Sequence, residues 1–121
     1  AAAAKLAEDR ARMARENSKN IHFSIGSFYI NKKAEADLAV LAGWLKAHPD
    51  FYLSLVGYAD KGTGSPKVNM EVSRKRMAVV IEKLEKLGLE ASRVTTDYKG
   101  DTVQPFAVND MNRVVICTII P

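Results

Sequence analysis

The chain has 121 residues, enough for one domain with a modest core, and 47% of them are hydrophobic. Charged residues make up 26%, which excludes a disordered or fibrous class, and the +4 net charge is too slight to demand a nucleic-acid or membrane partner. The single cysteine, Cys117, excludes an internal disulfide framework, and the longest apolar run, Val114–Pro121, is too short to span a membrane as a helix.

Residues 1–17 are rich in Ala, Arg and Glu, all helix formers. Leu6 and Met13 give only a thin apolar line, so the segment is expected to be an exposed linker helix. The alanine-rich start without an initiator Met fits a processed or truncated product, with residues 1–20 ending a missing upstream region. "ENSKN" then breaks the helical pattern. "IHFSI" (21–25) alternates like a strand, and "GSFYINK" (26–32) reads as a loop bearing exposed aromatics.

From Lys33 to Ala47, Ala34, Leu38, Leu41 and Leu45 recur at helical spacing, and "HPD" ends that helix. "FYLSLVGY" (51–58) is a strand with Leu53, Leu55 and Gly57 on one face. A Gly-rich loop follows, and Ser65-Pro66 starts a helix that runs to about Leu87 and stops at Gly88. "SRVTTDYKG" (92–100) is a third strand, and the almost wholly apolar "RVVICTII" (113–120) is a fourth, central one. The order β-α-β-α-β-β predicts an α/β (α+β) two-layer sandwich, a mixed sheet with helices on one face plus the lead-in helix.

The helix after Ser65 carries an anomaly. Each helical residue advances about 100°, so Asn69, Ser73, Arg76, Val80, Leu84 and Leu87 share one stripe. Its rear is core material, whereas its first turns offer an amide, a hydroxyl and a guanidinium beside the carboxyl end of a strand, where α/β sheets usually place ligands. Asp60 stands in the adjoining loop. An inward arginine needs a carboxylate, supplied by the protein or by a ligand. One reading is a site with one charge of each sign, suited to a zwitterion. The other is a structural Asp60–Arg76 salt bridge with Asn69 and Ser73 as caps. The residues alone leave both open.

"GYADKGTGSPKVNMEVSRKRMAVVIEKLEKLG" resembles the signature of the OmpA-like (OmpA C-terminal, MotB-type) peptidoglycan-binding domain. In that family a strand ending Gly-His/Tyr-Thr-Asp leads into a Gly-containing loop and then Asn-x-x-Leu-Ser-x-x-Arg-Ala. Gly57-Tyr58-Ala59-Asp60 match the first part, and Asn69, Val72, Ser73, Arg76 and Met77 the second. "KGDTVQP", "NRVVI" (112–116) and "IHFSIGSFYI" extend the likeness over residues 21–120. The resemblance implies non-covalent binding of the peptidoglycan peptide stem at its diaminopimelate, without catalysis, cofactor or metal. Asp60 would take the ligand ammonium and Arg76 its carboxylate, with Asn69 ordering the loop or contacting the ligand, Ser73 holding the loop backbone, Ala59 in the pocket and Arg113 at its rim. It implies a periplasmic domain, residues 21–121, tethered to the outer membrane of a Gram-negative bacterium through the upstream region. Ala59 stands in place of the usual threonine, Gly26 of an acidic or amide residue and Val114 of a second arginine. The loop from Asp60 to Asn69 is one residue longer than usual.

Other constellations are thin. His22 and His48 are isolated, no Cys/His cluster has metal-ligand spacing, and "DKGTGS" lacks the Lys-Ser/Thr of a phosphate loop. The "SRKR" cluster allows a nucleic-acid binder in principle, but the first strand offers only Phe23 as a stacking surface and the fourth none, so no nucleic acid is expected. A ligand-free interaction module, such as a homodimer, is the remaining alternative.

Overall fold

The apolar C-terminal run lies in the middle of the sheet, with Val115, Cys117 and Ile119 in the core and Thr118 and Ile120 exposed on the other face. The structure is a computed structural model describing residues 1–121. Its elements are α1 (Ala2–Asn17), β1 (Lys19–His22), α2 (Lys32–Ala47), β2 (Tyr52–Gly57), α3 (Pro66–Lys86), β3 (Val94–Tyr98) and β4 (Val114–Ile120). The strand order is β1-β4-β2-β3. β4 runs antiparallel to both neighbours, with Ile21 opposite Val115 and Leu55 opposite Cys117, while β3 joins β2 in parallel with Leu53 opposite Val94. The mixed two-layer sandwich is as expected.

One sheet face supplies Ile21, Leu53, Leu55, Val115, Cys117 and Ile119 to the core, and α2 and α3 answer with Leu38, Leu41, Leu45, Val80 and Leu84. Each such side chain contributes roughly 1.5–3 kcal/mol on full burial. Cys117 is wholly buried, and burial pushes its thiol up to about 12, so it is a packing residue. The starts of α2 and α3 are capped. The Asn31 side chain accepts from Ala34 N at 2.9 Å and Ser65 Oγ from Val68 N at 3.3 Å, with Pro66 in the first turn.

Two strand boundaries differ from the sequence reading. β1 spans Lys19–His22 rather than 21–25, because Ser18 Oγ accepts from Ile119 N (2.9 Å) and starts the pairing early. The Ser24 carbonyl is claimed by Arg76, which ends strand character there. β3 is confined to Val94–Tyr98, preceded by a 3-10 turn at Ala91–Arg93. Leu87, expected on the buried stripe, is only half-buried.

α1 is docked near the foot of β2. Ala14 is buried in the core, the Arg10 guanidinium pairs with Asp50 (2.7 Å) and lies 4.2 Å over the Phe51 ring, and Leu6 stays exposed. At the other end of β2, Gly57 lets α3 approach. A Cβ there would sit 2.2 Å from the Ser73 carbonyl oxygen, so the polar start of α3 presses directly on the strand end.

Candidate functional site

The chain leaves β2 through Tyr58 and Ala59, whose amides are tied to Val114 O (2.9 Å) and Gly100 O (2.8 Å). That places Asp60, 2% exposed, behind the loop 60–65. Its carboxylate accepts from Arg113 Nε (3.1 Å), from the Thr63 hydroxyl (2.9 and 3.0 Å to its two oxygens) and from Asn109 Nδ2 (3.0 Å). Burial alone would raise its pKa. The hydrogen bonds from Asn109, Thr63 and Arg113 outweigh that and leave it below the ordinary carboxylate value. Asp60 is thus a fixed negative charge.

The front of the α3 stripe is as buried as its rear: Asn69, Ser73 and Arg76 are 5%, 0% and 1% exposed. Each is hydrogen-bonded within the domain. Asn69 Nδ2 donates to Thr63 O (2.8 Å) and to Asp101 Oδ2 (2.9 Å), with Asp60 O sharing a proton at 3.3 Å, so it gathers two loops. Gly64 has a positive φ of 70°, and a Cβ there would meet Asn69 Oδ1 at 2.7 Å, so the loop closes tightly over that amide. Ser73 Oγ donates to Met70 O (2.7 Å) and accepts from Gly100 N (2.9 Å), holding the loop after β3.

Arg76 differs from the direct ion pair that one sequence reading allowed. Nε donates to Ser27 O (2.8 Å), Nη1 to Tyr58 O (3.1 Å) and Nη2 to Ser24 O (3.2 Å). No ion pair joins it to Asp60, whose salt bridge is with Arg113. The reason is geometric: the guanidinium reaches a convergence of three main-chain carbonyls, and a planar fork satisfies them together. Burial pushes its pKa down to about 10, against the attraction of Asp60 and with the repulsion of Arg113, so it remains charged at neutral pH.

Asp60 and Arg76 nevertheless line one cavity of about 220 Å³. Ala59, Asn69 and Gly26 line it with them, while Ile25, Thr63, Gly64, Val68 and Val72 complete its walls. Ser73 and Arg113 stand behind it as supports. Arg113, expected at the rim, is the half-buried salt-bridge partner of Asp60, and it also reaches Asp110 at 3.3 Å. The sequence reading missed Thr63 and Asn109. Thr63 had a local signal, a hydroxyl three residues after an aspartate. Asn109, which also accepts from Gly62 N (3.0 Å), lies 49 residues from Asp60 and had none.

The remaining polar groups lie elsewhere. His48 stacks on Trp44 at 3.9 Å and donates to its carbonyl (2.7 Å), and His22 lies 5.9 Å from the Phe106 ring centroid. Arg74 is paired with Glu71 on the solvent side, and Phe23 is buried rather than presented for stacking.

A model of the OmpA family matches residues 22–114. Among curated relatives, outer membrane protein 40 of Porphyromonas gingivalis is 35% identical over 98 residues, 81% of this chain and 26% of that protein. A peptidoglycan-associated lipoprotein of Brucella melitensis is 29% identical over 90 residues, covering 74% of this chain and 52% of the relative. The chain therefore spans about a quarter to a half of the length of these relatives. Among solved structures, the peptidoglycan-associated lipoprotein from Burkholderia pseudomallei superposes with a TM-score of 0.77 at 21% identity, covering 84% of this chain and 89% of that one. The C-terminal domain of Helicobacter pylori MotB superposes with a TM-score of 0.73 at 19% identity, covering 85% and 84%. These structural likenesses speak to the fold, and the sequence match over residues 22–114 to descent: the chain belongs to the OmpA family.

Proposed function

We propose that this chain binds the peptide stem of peptidoglycan non-covalently and anchors an envelope protein to the cell wall without cleaving it. Membership of the OmpA family and the likeness to peptidoglycan-associated lipoproteins support wall binding in general. The finer reading is that diaminopimelate occupies the 220 Å³ cavity, its ammonium on Asp60 and its carboxylate on Arg76. The observation that carries it is that the two charges line one cavity without neutralising each other. A guanidinium has five N–H donors, and three are engaged by Ser24, Ser27 and Tyr58. Two remain, one on each terminal nitrogen, the number a carboxylate takes in a bidentate grip. Asp60 keeps acceptor capacity for an ammonium beyond its three side-chain partners.

In this reading Ile25, Val68 and Val72 pack the hydrocarbon between the two ends of the ligand. Asn69, Ser73 and Arg113 hold the walls, and Ala59 leaves the floor open. The domain works in the periplasm, joined through α1 to an upstream part held at the outer membrane. The test is a pull-down on insoluble sacculi with the wild type, Asp60→Ala and Arg76→Ala, folding being verified by circular dichroism. Retention of the wild type and loss of both folded variants is expected. Retention of both variants at wild-type level overturns the site.

A further inference from the structure

The segment between β1 and α2 forms a partition with the cavity on one side and a larger groove on the other. Its main chain is braced by Arg76 at Ser24 and Ser27, by Ser27 N donating to Ser24 O (3.0 Å), and by Tyr29 N donating to Ser27 Oγ (3.0 Å). On this held turn Tyr29 is 74% exposed and Phe28 42%. The Lys75 ammonium lies 5.3 Å over the Phe28 ring, whereas Tyr29 stands almost wholly in water, and two large aromatic rings held outward on a braced backbone need a reason, because the apolar effect favours their burial.

The groove has a volume of about 510 Å³. Its floor is Phe28, Tyr29, Ile30 and Val79, and its rim is polar, with Glu82, Lys83 and Lys86. The rim charges are already neutralised in pairs, Lys83 with Glu35 (3.0 Å) and Lys86 with Glu82 (3.1 Å). A polyanion would have to displace those carboxylates. A purely hydrocarbon ligand would leave the rim unused. A neutral ring with an apolar C–H face and hydroxyl or acetamido groups at its edge matches both, since aromatic faces take the C–H side and charged side chains the polar edge.

We propose that this groove is a second subsite that takes a pyranose ring of the glycan strand carrying the stem. The proposal rests on the reading of the cavity as the stem site, and the two sites are contiguous through Ser27. The Ser27 carbonyl holds Arg76 at the cavity, and Ser27 also lines the groove. One ligand, a sugar with its attached peptide, spans the partition. Its diaminopimelate lies on Asp60 and Arg76 and its ring on Tyr29 and Phe28.

The experiment is calorimetric titration of this chain with two probes, a diaminopimelate-containing stem peptide and the same peptide linked to its disaccharide. The wild type should bind the sugar-linked probe about tenfold more tightly, the gain from one or two aromatic contacts. Tyr29→Ala, whose side chain supports no other part of the fold, should abolish that increment and leave the affinity for bare peptide within about twofold. Equal wild-type affinities for the two probes overturn the subsite and leave the stem reading standing. So does an increment that survives in Tyr29→Ala and in Phe28→Ala. Failure of both probes to bind removes the stem reading and the subsite with it. Sedimentation of the unliganded chain as a dimer that Tyr29→Ala dissociates makes the groove a self-association surface instead, and also overturns the proposal.

Discussion

The two halves of the α3 stripe are buried alike and built from opposite chemistry. Val80 and Leu84 are 0% exposed, and Arg76 is 1%. The rear half meets other hydrocarbon in the core, where nearly any apolar side chain of the right volume would serve. The front half meets main-chain carbonyls where three segments end, and only particular donors satisfy them. One helix thus makes a core at one end and a site at the other, and what separates them is whether the sheet beside it is continuous or running out into loops. Burial does not by itself distinguish structure from function. The chemistry of what is met at the buried surface does.

The strongest way to break this comparison is to make the front like the rear. Arg76→Leu keeps the site apolar and buried but leaves the carbonyls of Ser24, Ser27 and Tyr58 without their donor. At about 1–3 kcal/mol for each unsatisfied group, partly relieved by water, a loss of about 4 kcal/mol is expected. Leu84→Ala, the matching change at the rear, should lose about 3 kcal/mol through its cavity. Urea unfolding measures both, and sacculus retention of the folded fraction separates them: Leu84→Ala should still bind and Arg76→Leu should not. A stable Arg76→Leu domain would dissolve the distinction.

A gentler change sharpens it. The Asp60 carboxyl is held below its ordinary value of 3.8, because hydrogen bonds from Asn109, Thr63 and Arg113 overcome the opposing effect of burial. Its contribution to stability is therefore complete above the ordinary value, and it is lost as pH falls through the depressed one. Asp60→Asn should flatten that acid limb of a stability–pH curve by lowering the neutral plateau toward the acid level, and should abolish sacculus binding at every pH. An acid limb unchanged by the substitution would mean that other carboxylates set it.

The smallest effect belongs to Ser73→Ala. It removes the acceptor for Gly100 N and should lower stability by about 1 kcal/mol, weakening retention on sacculi only as far as the loop after β3 loosens.

The elements were legible where periodicity is unambiguous. The α2 and α3 stripes, the central placing of Val114–Ile120 and the polar start of α3 all follow from side-chain spacing, and Asp60 from its place just past a strand. The pairing within the site did not follow. Arg76 and Asp60 are close in sequence, so they invited a direct bond. Arg113, 53 residues from Asp60, makes it instead, and Ser24 and Ser27, about 50 residues from Arg76, take the guanidinium. Spacing rules act within one element, whereas these contacts depend on how loops from opposite ends of the chain converge above the sheet. The register of β1 escaped for the same reason, since it is set by Ser18 reaching across to Ile119.

The position of α1 has a mechanical consequence. Arg10 grips Asp50 at one end of β2, and Asp60 lies just past the other. α1 also runs directly into β1 through Ser18, and β1 and β2 are each antiparallel to β4, which lies between them. Tension between α1 and a ligand seated on Asp60 therefore crosses both ladders along the strand direction, and because antiparallel bonds lie across that direction it loads their rungs together in shear instead of peeling them one at a time.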